Sequence, residues 1–332
     1  MNVSVMVWGV TCAVILGLFV FDFFAHVRVA HEPTFRESAT WSAVYIGLAI
    51  VFGFVVWWQW GGQFAGEYFA GYVTEKALSV DNLFVFTVIM ATFAVPRAFQ
   101  QKLLLIGIVM ALVMRAGFIA LGTAAINTFS WVFYIFGVFL VLTAAKLARE
   151  AGHEKEVEEK RDSRIIALVR KIVPTTDDYD GDKFLTKIGG NRAVTPMFLA
   201  LIAIGFTDLL FALDSIPAIY GLTEEPYIVF TANAFALMGL RQLYFLIGGL
   251  LDRLVYLSYG LSLILAFIGV KLVLHALHEN TLPFINGGEH VKVPEISTGL
   301  SIGVIAVILV ITTVASLIKT RGRTVADEPS HS

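Results

Sequence analysis

Residues 74–82 read Thr-Glu-Lys-Ala-Leu-Ser-Val-Asp-Asn, and residues 207–215 read Thr-Asp-Leu-Leu-Phe-Ala-Leu-Asp-Ser. Each is a Thr, an acid, five residues, an Asp and a small polar residue, set in apolar surroundings. A charge at the centre of a membrane helix costs at least about 2.5–3.5 kcal/mol on insertion scales, so each acid needs a partner, a proton or an ion. The surroundings are membrane. Of 332 residues, 57% are hydrophobic and 15% charged, with a mean hydropathy of +0.77, whereas a soluble domain carries about 25% charged residues. A net charge of -2 offers no basic field to a nucleic acid, and the single Cys12 excludes an internal disulfide.

A helical span needs about 20 apolar residues. Nine segments qualify: Ser4–Ala25, Trp41–Trp60, Tyr68–Thr92, Gln101–Thr123, Phe129–Arg149, Pro196–Ile219, Ile228–Gly249, Leu254–His278 and Ile296–Ile318. The first lacks a basic n-region and is too long for a signal-peptide core, so it reads as a retained span. With Glu150–Thr195 placed in the cytoplasm, eighteen Lys and Arg fall on the cytoplasmic side and Lys292 alone falls opposite. That asymmetry predicts an N-terminus outside and a C-terminus inside.

The two acidic stretches belong to a longer correspondence. Arg115 and Arg241 each lie eight residues after a small or polar residue (Gly107, Asn233) and seven before a glycine (Gly122, Gly248). Tyr134–Lys146 and Tyr259–Lys271 are both twelve apart, and Arg115–Lys146 and Arg241–Lys271 are 31 and 30 apart. Four matches in one order indicate a duplicated three-helix unit, and an odd number of spans inverts the second copy. The expected fold is all-α: a polytopic membrane protein of about nine helices around an inverted 3+3 repeat. Its parts are two N-terminal helices (1–62), the first repeat (63–149), a cytoplasmic linker (150–195), the inverted second repeat (196–280), and a last helix with its tail (281–332).

Five acids fall within these spans: Asp22, Glu75, Asp81, Asp208 and Asp214. Inversion predicts Glu75 and Asp214 on the outer side of the midplane, with Asp81 and Asp208 on the inner side. Six residues also turn the second acid of each pair about 120° from the first, unless the helix loosens. Pro217 disfavours helix at Ile216 and predicts unwinding there. The candidate metal ligands are Glu75, Asp81, Asn82, Asp208, Asp214 and Ser215, supported by the hydroxyls of Thr74 and Thr207. This all-oxygen set suits Mg²⁺, Ca²⁺ or Mn²⁺ rather than Zn²⁺ or Cu⁺. Lys76, Arg115, Arg241 and Lys271 supply enough positive charge to balance the acids, and ion pairs that only fix helix packing are the alternative. Asp22 lies near a span end, where it can snorkel or meet Arg28, or take part in the pathway.

Other signals are weaker. The stretch Asp177–Asp182 has calcium-loop character without EF-hand spacing. His275 and His278 with Glu279 could capture a metal at the outer end, or be solvated at the interface. Trp57, Trp58 and Trp60 read as an interfacial belt. The sequence lacks a His-Glu-x-x-His helix, a Gly-x-Ser-x-Gly elbow and a P-loop, and its paired aspartates lack the companion motifs of an intramembrane aspartic protease. An enzyme is not expected.

Residues 75–86 and 208–218 resemble the two signature segments of the TerC family, including its Alx-type members. The likeness runs from about Asp22 to Lys271 and takes in His31-Glu32, Arg115, Asp182-Lys183-Phe184 and Arg241-x-Leu-Tyr-Phe. Ala77 replaces the serine usual at that place, which removes one hydroxyl. The resemblance implies a protein of the bacterial inner membrane that acts in manganese export or homeostasis, with a historical label of tellurium resistance. The expected function is therefore secondary-type export of Mn²⁺ from the cytoplasm, by proton exchange, with the lipid bilayer and the divalent ion as its partners. The competing expectation is a non-transporting protein that assembles or metalates others, docking a partner through the Glu150–Arg192 segment.

Overall fold

A computed structural model describes residues 1–28, 30–129, 131–150, 176, 179–188, 191–247, 256–294 and 296–326, without the side chains at 81, 84, 127, 150, 188, 191, 192, 247 and 321–326. Among the described residues there are ten α-helices, one π-turn, one 3-10 turn and one hairpin. Helix α1 (Val5–Asp22) is capped by the Ser4 hydroxyl, which accepts from the Val7 N–H, and continues as a π-turn over Phe23–Val27. Helix α2 (Phe35–Trp60) starts at Thr34, whose hydroxyl accepts from the Glu37 N–H. It ends at Gly61, where φ is +98°, a conformation that favours glycine. The chain then passes directly into α3 (Gly62–Thr92), followed by α4 (Arg97–Thr128) and α5 (Val132–Glu150).

A short antiparallel hairpin, β1 (Leu185–Ile188) with β2 (Asn191–Val194), leads into α6 (Pro196–Tyr220). The chain continues through α7 (Pro226–Leu237), α8 (Leu240–Ile247), α9 (Leu257–His278) and α10 (Thr298–Ala326). Tyr179 donates to the Phe93 carbonyl at 2.7 Å, and Lys102 pairs with Asp182 at 2.8 Å, so this region docks on the α3–α4 turn. The acids Asp180 and Asp182 serve there as turn partners. Hydrogen bonds from Thr186 and Lys183 hold the Asp180 carboxyl below the usual range. Asp177 and Asp178 of the calcium-loop-like stretch lie outside the described residues.

Eight segments among the described residues are long and apolar enough to cross a bilayer, with α7 and α8 counted as one. This is an all-α polytopic membrane protein. The remaining expected span, Tyr68–Thr92, is α3, whose 31 residues rise about 46 Å. It includes Glu67, Glu75, Lys76 and Asp81, too many charges for a lipid-facing span. It packs instead among α2, α6, α7 and α10, so protein rather than lipid meets its polar groups. Helix α10 does the opposite and turns Val307, Val310, Ile311 and Ile318 outward.

Packing among the six repeat helices is reciprocal. Helix α3 lies on α7, α4 on α6, and α5 on α9, with further contacts between α3 and α6 and between α4 and α7. Exchanging the 63–149 set for the 196–280 set maps these contacts onto themselves.

The helix break does not occur at Pro217. Helix α6 runs through that residue to Tyr220, because neighbouring helices bury the segment and one lost N–H does not unwind it. The break lies in the expected seventh span, at Met238–Gly239 between α7 and α8. Gly239 has φ +83° there, and a Cβ would stand 3.0 Å from Tyr45 Cβ. Breaking a helix inside a membrane frees carbonyls that need donors. Lys76 supplies one, as its Nζ donates to the Ala236 carbonyl at 3.0 Å. A cation at a helix C-terminus also favours the helix dipole.

The α5–α9 contact depends on two facing glycines. A Cβ on Gly137 would lie 2.8 Å from the Gly269 carbonyl oxygen, and one on Gly269 would lie 2.9 Å from the Gly137 oxygen. Backbone-to-backbone approach of this kind is how small residues join membrane helices. Gly137→Val is expected to lower stability by about 1–3 kcal/mol through overpacking, read as a lower melting temperature in detergent. An unchanged melting temperature would show that α5 and α9 are not held this closely.

Candidate functional site

Arg115 is the largest fully buried side chain, with none of its surface exposed. Three helices meet on its guanidinium. Helix α4 supplies the arginine, α3 supplies Glu75, and α6 supplies Asp208 and Ser215. Arg115 Nε donates to Asp208 Oδ2 at 3.1 Å and Nη2 donates to Oδ1 at 3.0 Å, a two-point contact that fits a planar carboxylate. Nη1 donates to Glu75 Oε1 and, at 3.1 Å, to Ser215 Oγ. Asp208 and Ser215 are seven residues apart, two helical turns, and so share one face of α6.

The charges do not balance. One guanidinium faces two carboxylates, and Glu75 Oε2 is buried without a hydrogen-bond partner. The hydroxyls of Thr74, Ser79 and Thr207, and both amide atoms of Asn233, are also buried and unpartnered. Asn233 sits on α7 between Ala232, which faces Gly71, and Ala236, which accepts from Lys76. Unsatisfied polar atoms in a low-dielectric interior cost about 1–3 kcal/mol each. Such a concentration marks a place that can take up protons, water or a cation.

The arrangement corrects several expectations. Glu75 and Asp208 do not occupy two levels. They meet at one guanidinium, because equivalent positions on crossing helices come together where α3 and α6 touch. Asp214 turns away toward α5, where Thr143 hydrogen-bonds to it and Lys146 is its neighbouring cation. With α6 unbroken, the turn of about 120° between positions 208 and 214 is kept. Among the described side chains Lys76 is paired with no acid, and its Nζ caps α7 instead. Arg241 belongs to a separate buried group, in which Nη2 donates to Asp22 Oδ1 at 2.7 Å and Nη1 to Gln101. Asp22 is 5% exposed and pairs with Arg241 rather than with Arg28 or the interface. Asn82 is buried on α3, and the Asp81 side chain lies outside the described residues. Among the described residues, no group of three or more His, Cys, Asp or Glu is arranged to hold a metal.

Lys271 lies elsewhere again. Its Nζ donates to Ser301 Oγ at 3.2 Å, and it lines a cavity of about 370 Å³ with Gln63, Glu67, Glu224, Glu225 and His275. His275 Nε2 stands 3.0 Å from Glu224 Oε1, and that hydrogen bond holds the Glu224 carboxyl below its usual range. Glu67, 7% exposed, accepts from Thr223 at 2.6 Å and from Gln63 at 3.1 Å. The sequence reading passed over Glu67 because the third span was started at Tyr68. The signal that it missed is the helix-compatible run from Gly62. Trp58 is 87% exposed, as an interfacial residue would be.

A buried Glu–Arg–Asp cluster joining the two 75- and 208-type stretches can be compared with known proteins. The family model of the integral membrane protein TerC family matches residues 60–324. The chain belongs to the TerC family. An uncharacterized membrane protein of Mycobacterium tuberculosis is 53% identical over 324 residues, covering 97% of this chain and 82% of the relative. One from Myxococcus xanthus is 38% identical over 320 residues, covering 96% and 94%. The Alx protein of Escherichia coli, whose name proposes a membrane-bound redox modulator, is 36% identical over 278 residues, covering 81% and 86%. No solved structure matches the chain. The family match spans Glu75, Arg115, Asp208 and Ser215 alike.

Removing Arg115 leaves two buried carboxylates uncompensated, which costs about 3–5 kcal/mol. Arg115→Met should therefore melt well below the wild type in detergent. Adding Glu75→Gln and Asp208→Asn to it should recover most of the loss. A stable Arg115→Met protein, or a triple variant no better than the single one, would contradict the ion-pair geometry.

Proposed function

We propose that this TerC-family protein is a secondary transporter that exports a divalent cation, Mn²⁺, from the cytoplasm across the bacterial inner membrane. The observation that carries the reading is the Arg115 cluster: two carboxylates, from helices of opposite halves, share one guanidinium and keep an unpaired oxygen. Charged residues inside membrane helices mark ion or proton routes, and repeat interfaces near the midplane are where transporters bind their cargo. The reciprocal packing of 63–149 with 196–280 supports an inverted repeat, and the distribution of Lys and Arg supports an outside N-terminus and a cytoplasmic C-terminus.

In this reading the guanidinium occupies the place of the cargo in the resting state. Mn²⁺ binding displaces Arg115, and Glu75, Asp208, Ser215, Thr74 and Thr207 then offer oxygen donors. Withdrawal of the ion returns Arg115, or a proton, to the carboxylates. Donors of this type accept Mn²⁺ through ligand type and coordination number, because raw affinity order would favour Zn²⁺. Carboxylates that must lose protons to bind make affinity weaken as pH falls. Asp81 and Asp214 join as further acids along the route, and the cavity at Glu67 and Glu224 is its outer mouth. The redox role proposed by a relative's name would have to run without dithiol chemistry in this chain, whose one cysteine is Cys12.

Purified protein in liposomes provides the test. Wild type should move Mn²⁺ without any partner, and Glu75→Gln and Asp208→Asn should each lower the initial rate at least tenfold, with Mn²⁺ binding weakened. Rates in both variants equal to wild type would remove the cluster from the pathway. Reproducible absence of flux from the folded wild type would favour a protein that assembles or metalates others.

A further inference from the structure

The second buried polar group, around Arg241, contains more unpaired atoms than its ion pair explains. Asp22 Oδ1 is the focus: Arg241 Nη2 donates to it at 2.7 Å, Tyr45 at 2.8 Å and Gln242 Nε2 at 3.3 Å. His26, one turn on, places Nδ1 3.1 Å from the same oxygen, without the alignment of a hydrogen bond. His26 Nδ1, Ser38 Oγ, Ser42 Oγ, Arg241 Nε and Gln242 Oε1 are all buried and unpartnered. Each of these side chains belongs to a residue less than 9% exposed.

Four of the five residues line one small cavity. His26, Ser38, Arg241 and Gln242 surround it together with Glu37 and Gln101, and its free volume is about 10 Å³. That is the room one water molecule needs. The polar atoms also match water better than any ion. Arg241 Nε and Ser38 Oγ can donate, while Gln242 Oε1 can only accept, and a water both accepts and donates. An anion would face Asp22 and Glu37, and a cation would face Arg241.

The pocket leads outward. Glu37 Oε1 lies 3.3 Å from His31 Nε2, with side chains 27% and 41% exposed. A titratable chain therefore runs from the His31–Glu37 rim through the cavity to His26 and Asp22. The groups facing His26 are Asp22 from its own helix, Glu37 from α2 and Arg241 from α8. Tyr45 of α2 reaches it through Asp22, and α4 contributes the uncharged Gln101. The Trp41 ring meets the His26 ring edge-on, with centroids 4.5 Å apart, and closes the side.

We infer that this pocket is a hydrated proton-binding site, in which an internal water connects Glu37 to His26 and Asp22, separate from the Arg115 cluster. The steps are proton transfers alone. A proton leaves the Glu37 carboxyl for the water as the water passes one to the His26 ring, and the reverse sequence returns it. Histidine is suited to the task because its ordinary pKa, about 6.5, lies in the physiological range. The inference does not depend on what the Arg115 cluster carries, and its test involves no metal.

Water-edited solid-state NMR of the full-length, ¹⁵N-histidine-labelled protein in lipid vesicles reads the site directly. The ring signal deleted by His26→Gln should gain magnetisation from water and exchange its ring proton with it. Ser38→Val, which places methyl groups in the cavity, should cut the water transfer several-fold while the ring signal persists. If that variant does not fold, Glu37→Gln should leave the water transfer intact and slow proton exchange at the ring. A His26 signal that receives nothing from water would overturn the proposal. So would water transfer undiminished in folded Ser38→Val, or ring exchange unchanged in Glu37→Gln.

Discussion

Arg115 places one positive charge where two helices each bring a carboxylate, and much of the bundle is arranged to make that tolerable. Its guanidinium reaches Asp208 at two points and Glu75 and Ser215 at one each. The contact therefore ties α3, α4 and α6 at one depth. Lipid could not satisfy these groups, since a bilayer core offers no hydrogen bonds. Helix α3 must accordingly be sheathed by protein. The outer apolar helices, α1, α2 and α10, can be read as the consequence, because they put lipid-compatible surface around a polar centre.

A second constraint works in parallel at Asp22. That carboxylate gathers Arg241, Tyr45 and Gln242 on one oxygen, joining α1, α2 and α8. The two clusters solve the same problem differently. Arg115 is shared by acids from α3 and α6, whereas Arg241 is paired with an acid from α1. The two arginines thus have different tasks. The break at Gly239 belongs to the same scheme, for it turns α8 back so that Arg241 can reach Asp22, while Lys76 covers an exposed carbonyl of α7.

How much of this was legible in the residues follows from what each signal depends on. Membrane insertion and the presence of charge at Glu75, Asp208 and Arg115 inside helices could be read from apolar length and the cost of buried charge. Those are properties of a segment in its solvent. The partners of Lys76, Arg241 and Asp214 could not be read, because three residues of rise or 100° of rotation decides which neighbour a side chain meets. Pro217 was a misleading signal for the same reason: the burial around α6 outweighs a local preference. Gly239 gave little warning, since glycines are common in membrane helices.

The sequence by itself determined that this chain is an all-α polytopic membrane protein of the TerC type, with acids and bases set within its apolar helical stretches. Hydrophobic length and the price of a charge in lipid are local quantities, and they leave few alternatives. Only the tertiary structure decided that Glu75 and Asp208 converge on Arg115 while Asp214 and Lys76 do not. It also decided that Asp22 closes on Arg241 beside a water-sized pocket. Those outcomes depend on helix crossings and on the rotation of each helix about its axis, which distant packing sets and no single segment encodes.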